Sequence, residues 1–162
     1  MTLLVSSADA RNLKLMAFDV DGVLTDGRLY YGPDGEALKV FNTLDGHGLK
    51  KLAASGVTLA LITGRDTPMV ARRAAELGIQ HVIQGREDKG VALADLAASL
   101  GVTARETGYA GDDEPDVPAL QWAQIAFAPS SGHDCARAAA DHVTRARGGE
   151  GAVREICDAL LE

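Results

Sequence analysis

Asp19 and Asp21 stand one residue apart where an apolar run breaks off in "MAFDVDGVLTDG". Carboxylates this close repel one another unless a cation, a donor or a proton compensates them. Later in the chain Asp112 and Asp113 follow "TGYAG", Thr63 follows "VTLALI", and Lys89 opens a helical pattern. Singly, each has an ordinary explanation, because Asp and Thr after a strand cap helices or fill turns. Together they form a set. Three or more carboxylates at one edge require a cation, and oxygen donors without histidine or cysteine beside them select magnesium over zinc. Magnesium keeps some of its waters and shares its coordination with phosphate, so the set suits phosphoryl transfer, where positioning and charge neutralisation carry the catalysis. In that chemistry Asp19 attacks phosphorus and becomes an aspartyl phosphate. Asp21 protonates the departing alkoxide and later deprotonates the hydrolytic water. Thr63 offers a hydroxyl and a neighbouring N–H to phosphate, and Lys89 a point charge. Gly22 lets the chain turn sharply and brings N–H groups towards the anion.

These groups have to be positioned by the elements between them. Short apolar pieces at Leu13–Phe18, "VTLALIT", "HVIQG", "TGYAG", "IAFA" and "HVT" alternate with helical patterns, the last of them "GGEGAVREICDALLE". Such alternation implies a doubly wound α/β fold, a parallel sheet covered on both faces. Ligands then bind at the carboxyl ends of the strands, where the candidate residues fall. Around "GPDG" the pieces Leu29–Tyr31 and Leu38–Phe41 predict an inserted β-hairpin at about residues 28–41. At 162 residues the chain is expected to form a single domain. A composition of 46% hydrophobic and 24% charged residues is that of a globular protein. The net charge of −7 argues against nucleic acid as a partner. No run approaches the roughly 20 apolar residues of a membrane span, and no basic start precedes an apolar leader. The expected setting is the cytoplasm. Cys135 and Cys157 have no zinc spacing and read as reduced thiols. Among the histidines, His81 and His142 begin strands, His133 starts a helix, and His47 falls in the loop after the hairpin. "GHGLKK" and "GEGAVR" lack the third glycine of a dinucleotide fingerprint.

In their order, from about residue 13 to 128, "DVDGVLTDG", "LITGR", Lys89 and "GDDEPD" resemble the motifs of the haloacid dehalogenase superfamily of phosphatases. "DGRLYYGPDGEALKVFNTLDGHGL", "QGREDK" and "DHVTRARGGEGAVREICDALL" are similar to the branch acting on 3-deoxy-D-manno-octulosonate 8-phosphate (KDO 8-phosphate) in lipopolysaccharide synthesis. The resemblance implies a Rossmann-like core and a magnesium-dependent phosphoric monoester hydrolase that assembles as a homotetramer. It implies that Asp19, the backbone carbonyl of Asp21 and Asp112 hold magnesium, with Asp113 and Asp116 in its outer shell. It further implies substrate contacts at Asp21, Asn42, Thr43, Leu44, Asp45, Gly46, Lys50, Arg65, Arg73 and Lys89. Lys50 stands where some relatives carry arginine, and Thr43 and Leu44 also depart from the best-known relatives. These departures bear on substrate choice and leave a nonulosonate 9-phosphate as the alternative. Many relatives continue in a tail that reaches a neighbouring active site, whereas this sequence stops at Glu162.

About forty residues separate Asp21 from Thr63, and the hairpin, one helix and one strand use them all, which leaves no room for a cap domain. An uncovered site is wet and its electrostatics are weakened, so a macromolecular substrate or neighbouring subunits must close it. The Tyr30–Tyr31 hairpin favours subunits, because an isolated two-stranded ribbon is marginal. Arg145, Arg147 and Arg154 flank the glycines of "TRARGGEGAVRE" and read either as a solvated turn or as an anion site for a sugar-acid carboxylate. Two other classes compete. Signalling receiver domains share clustered aspartates, Thr, Lys and magnesium, but in them the acidic pair precedes the phosphorylated Asp. A non-catalytic tetramerisation module would not need Asp19, Asp21, Thr63, Lys89 and Asp112 together.

Overall fold

The computed structural model describes residues 3–162. Six parallel strands form one sheet: β1 (Leu15–Phe18), β4 (Thr58–Ile62), β5 (His81–Ile83), β6 (Thr107–Ala110), β7 (Ile125–Ala128) and β8 (His142–Val143). Their order is β5-β4-β1-β6-β7-β8. From β1 the chain winds outward through β4 to β5, then returns to the other side of β1 and winds outward through β6. The reversal lies between β1 and β6, where an open α/β sheet leaves a crevice at its carboxyl edge.

The sequence alternation becomes two cores. Successive side chains of a strand point to opposite faces, and all four residues of β1 are buried. Met16 and Phe18 join one cluster with α2 (Thr43–Ala54), α3 (Pro68–Leu77) and α7 (Ala152–Leu161). Leu15 and Ala17 join the other with α4 (Lys89–Ser99), α5 (Val117–Trp122) and α6 (Asp134–Ala139). None of the described helices is long and apolar enough to cross a membrane.

Several boundaries differ from expectation. The short helix α1 (Ser7–Asn12) precedes the sheet, started by Ser6, whose side chain accepts the Asp9 N–H at 3.1 Å. The hairpin strands are β2 (Tyr30–Gly32) and β3 (Gly35–Leu38), so the return strand begins earlier than Leu38. Gly32 pairs directly with Gly35 across Pro33 and Asp34, and Gly35 adopts φ 112°, a conformation that glycine enters without a steric penalty. His47 lies within α2 rather than in a loop, because Asn42 caps that helix by accepting the Leu44 N–H at 2.8 Å. Gly46 and Gly48 sit inside α2 although they weaken a helix. Close packing requires them: a Cβ at Gly46 would lie 2.4 Å from the Arg73 guanidinium, and one at Gly48 3.2 Å from the Arg154 Cα.

Candidate active site

Asp19 directly follows β1, its N–H bonded to the Ala110 carbonyl of β6 at 2.9 Å, which places it at the reversal of the sheet. Val20–Leu24 then forms one tight turn, closed by Thr25 N–H donating to the Val20 carbonyl at 3.1 Å. The buried Thr25 hydroxyl oxygen accepts from the N–H groups of Gly22 at 3.2 Å and Gly27 at 3.1 Å. Gly22 is required twice over. It adopts φ 90°, and a Cβ there would lie 1.9 Å from a carboxylate oxygen of Asp112.

The opposite side of this turn rests on the glycines of the Arg/Gly segment. Gly149 N–H donates to the Val23 carbonyl at 3.0 Å, and a Cβ at Gly148 would lie 1.8 Å from the Gly22 carbonyl oxygen. Within the chain this segment therefore buttresses the Asp19–Asp21 turn. Two of its three arginines face carboxylates: Arg145 lies 3.7 Å from Glu155, and Arg154 Nε donates to Asp158 at 2.7 Å, while Arg147 is exposed.

Lys89, at the start of α4, reaches Asp19 Oδ1 and Asp116 Oδ1, each at 2.9 Å, and all three residues are buried. Burial pulls the ammonium down, but Asp19 and Asp116 outweigh it and hold it above its ordinary value. Asp116 is filled by the protein itself. Its Oδ1 accepts from Lys89 and from the buried Tyr109 hydroxyl at 2.6 Å; its Oδ2 accepts from the N–H groups of Asp112 at 2.9 Å and Asp113 at 3.2 Å. Asp112 makes its bonds through its backbone, N–H to Asp116 and C=O to the His133 N–H at 2.7 Å. Its carboxylate faces Asp19, and ligand atoms of Asp19, Asp112 and Asp116 lie within 4.8 Å of one another.

This crowding has an electrostatic consequence. Burial first, then the charges of Asp116 and Asp112, push the Asp19 carboxyl well above the usual range against the pull of Lys89. Burial also pushes Asp112 up to about 6, with the Asp116 and Asp113 charges adding to it. A cation between Asp19 and Asp112 would reverse both shifts. The cleft they border, of about 300 Å³, is lined by oxygen-rich side chains and by neither histidine nor cysteine among the described residues. That donor set fits magnesium, and the Asp116 oxygens are already taken by donors of the protein.

Of the residues singled out in the sequence, Asp19, Asp21, Thr63, Arg65, Lys89, Asp112, Asp113 and Asp116 line this cleft together. Thr63 is buried; its N–H pairs with the Ile83 carbonyl at 2.9 Å, and its hydroxyl oxygen accepts from the Arg65 N–H at 3.2 Å. The other proposed substrate contacts lie outside the cleft in this chain. Asn42, Asp45, Gly46 and Arg73 gather at the junction of α2, α3 and α7, where Arg73 stacks 5.6 Å above the Phe41 ring. Asn42 donates to the Gly149 carbonyl at 3.1 Å. Asp45, pushed up by burial, accepts the Arg154 N–H at 2.9 Å. Thr43, Leu44 and Lys50 are exposed.

The structure adds residues that sequence reading had not singled out. Lys39, following β3, points inward with a side chain only 2% exposed and donates to Asp21 Oδ1 at 2.6 Å. It also pairs with Glu36 at 2.6 Å, and Glu36 in turn holds Arg65 at 2.9 Å. Tyr109 and the two buttressing glycines complete the set. A lone lysine in a hairpin carries no spacing signal, and Tyr109 falls inside the short apolar piece "TGYAG".

Residues 78–156 match the family model of haloacid dehalogenase-like hydrolases. The 3-deoxy-D-manno-octulosonate 8-phosphate phosphatase KdsC of Escherichia coli K12 is 44% identical over 154 residues, covering 95% of this chain and 82% of that protein. Among solved structures, the corresponding Moraxella catarrhalis phosphatase, in complex with magnesium, phosphate and KDO, superposes with a TM-score of 0.92 at 45% identity, covering 95% of this chain and 88% of that one. The cobalt-bound phosphatase of Haemophilus influenzae superposes with a TM-score of 0.92 at 42% identity, over 94% and 90% of the two chains. With this identity sustained along nearly its whole length, the chain belongs to the KDO 8-phosphate phosphatase (KdsC) family of haloacid dehalogenase-like hydrolases.

Proposed function

We propose that this protein is a magnesium-dependent phosphatase that hydrolyses KDO 8-phosphate to KDO and inorganic phosphate. The observation that carries this reading is the facing pair Asp19 and Asp112, backed by Lys89 and Asp116 at the sheet reversal, in a chain 45% identical to a relative whose structure holds magnesium, phosphate and KDO.

Asp19 is the nucleophile: its carboxylate attacks phosphorus, the bond from phosphorus to the sugar oxygen breaks, and Asp21 protonates that oxygen. Asp21 then takes a proton from water as the water attacks phosphorus and releases Asp19. Lys89 and Thr63 hold the phosphoryl oxygens, and Arg65 turns to the substrate from its place at the cleft wall. Asp19, the Asp21 carbonyl and Asp112 would hold magnesium, with Asp113 and Asp116 outside them. When bound, the ion neutralises charge on the transferring group.

Among a panel of phosphorylated sugar acids assayed with magnesium, KDO 8-phosphate is expected to give the highest kcat/KM. A clear preference for a nonulosonate 9-phosphate would overturn the substrate assignment. Chelation should stop turnover, and Asp112→Ala should raise the magnesium concentration needed to restore it; a rate indifferent to the metal would contradict both.

The cleft is uncapped, and Leu29, Tyr31, Leu38 and Val40 on and beside the hairpin expose 44–65% of their surface. Patches of this kind mark association sites. We assign them to a homotetramer in which hairpins pack together and wall the sites, with Asn42–Gly46, Lys50 and Arg73 reaching substrate across a subunit boundary. Sedimentation should find four chains per particle; a fully active monomer would sink the assignment.

A further inference from the structure

Asp21 carries an asymmetry that its proposed role does not by itself require. One oxygen, Oδ1, accepts from Lys39 at 2.6 Å, while Oδ2 is buried and has no hydrogen-bond partner. A buried carboxylate oxygen without a donor is costly, and only part of the Asp21 side chain, 19% exposed, opens on the cleft it lines. Lys39 belongs to the hairpin arm, 18 positions from Asp21 in the chain. Its side chain is almost wholly buried although the hairpin around it is exposed, with Tyr31 at 65% and Leu38 at 47%. The same ammonium pairs with Glu36, and Glu36 with Arg65, so one chain of charges runs Asp21–Lys39–Glu36–Arg65. Two short ion pairs at one buried ammonium leave it little freedom, and they define the rotamer of the carboxylate it holds.

We propose that Lys39 is a positioning residue for Asp21: by holding Oδ1 it fixes the rotamer of the carboxylate that gives and takes the proton. The inference rests on the acid/base role given to Asp21 above. The step most exposed to it is hydrolysis of the intermediate. The water oxygen bonds to phosphorus, the bond from phosphorus to the Asp19 oxygen breaks, and the water proton passes to the Asp21 carboxylate. Asp19 leaves as a carboxylate. A carboxylate free to rotate away misses that proton.

An aryl phosphate isolates this step, because nitrophenolate leaves without protonation and Asp19 is still phosphorylated at full rate. With p-nitrophenyl phosphate and magnesium, Lys39→Met is expected to release about one nitrophenolate per chain in a burst. Turnover should then be slowed about 100-fold, in the range that a positioned general base supplies. Acid-quenched protein should carry the phosphoryl group by mass, and Lys39→Arg, which still reaches both carboxylates, should recover most of the rate. A folded Lys39→Met protein turning over at the wild-type rate, or losing burst and steady phase together, would overturn the proposal. If the methionine variant does not fold, Lys39→Gln is read by the same burst. Failure of the wild type on every phosphate ester tested would sink the phosphatase reading instead, which keeps the two outcomes apart.

Discussion

Asp19→Asn is expected to lower turnover by about 10⁴-fold or more, the scale on which loss of a nucleophile is felt. The protein should stay folded and, in the absence of metal, melt higher than the wild type. The local geometry explains both. Asp19 Oδ1 accepts the Val20 N–H at 2.7 Å and the Lys89 ammonium at 2.9 Å, and an amide oxygen can accept both bonds in the same place. What asparagine cannot do is attack phosphorus or add its charge to a site where Asp112 and Asp116 already crowd it. Removing one of three facing charges relieves repulsion, and Lys89 keeps its pairing with Asp116. A gain of about 1 kcal/mol is the size expected when a residue kept for function is replaced by one suited to the fold.

Magnesium separates the two proteins in the opposite direction. A ligand bound only by the folded state raises stability with its concentration, so wild-type melting should climb as magnesium is added and the asparagine variant should climb less. Thermal melts with and without the ion, beside a turnover assay, make the measurement. Undiminished turnover in Asp19→Asn would remove Asp19 from the chemistry. A variant that melts lower than the metal-free wild type would mean that the Lys89 pair outweighs carboxylate repulsion.

The fold was legible where one physical rule decides. Apolar runs such as Leu15–Phe18, each ending in a polar residue and followed by a helix, leave a parallel sheet as the economical solution. The carboxyl-edge rule then picks Asp19 and Asp112 from 23 acidic residues, with Thr63 beside them. Sequence pattern does not report contacts between distant backbones. Gly46 and Gly48 looked like a loop before a helix, yet both lie in α2 because Arg73 and Arg154 need the room. Lys39 falls without any signal inside the expected strand Leu38–Phe41, yet the return strand starts at Gly35 and delivers the ammonium to Asp21. Asp116 was placed in the outer shell of a metal by resemblance. The structure supplies a physical reason for such a place, since its oxygens already serve Lys89, Tyr109 and two backbone N–H groups.

The Arg/Gly segment makes the same point more sharply, and it carries the second large effect. Gly148→Ala should cost about 2–3 kcal/mol, as overpacking does when the clash cannot rotate away. The new Cβ would meet the Gly22 carbonyl oxygen at 1.8 Å, its carbon at 2.6 Å and the Thr25 carbonyl oxygen at 3.0 Å, all of them backbone. Either the segment retreats or the turn carrying Asp19 and Asp21 moves, and in both cases the Gly149 N–H loses its 3.0 Å bond to Val23. Displacing the proposed nucleophile and its proposed acid/base partner by about 1 Å costs on the order of 100-fold in rate, so kcat should fall far more than KM rises. Glu150→Ala, two residues on at an exposed position, should leave melting and turnover near wild type. If the segment served instead as a carboxylate-binding site, the pattern would invert: Gly148→Ala would be mild, while Arg145→Ala or Arg147→Ala would raise KM for the sugar acid and spare p-nitrophenyl phosphate.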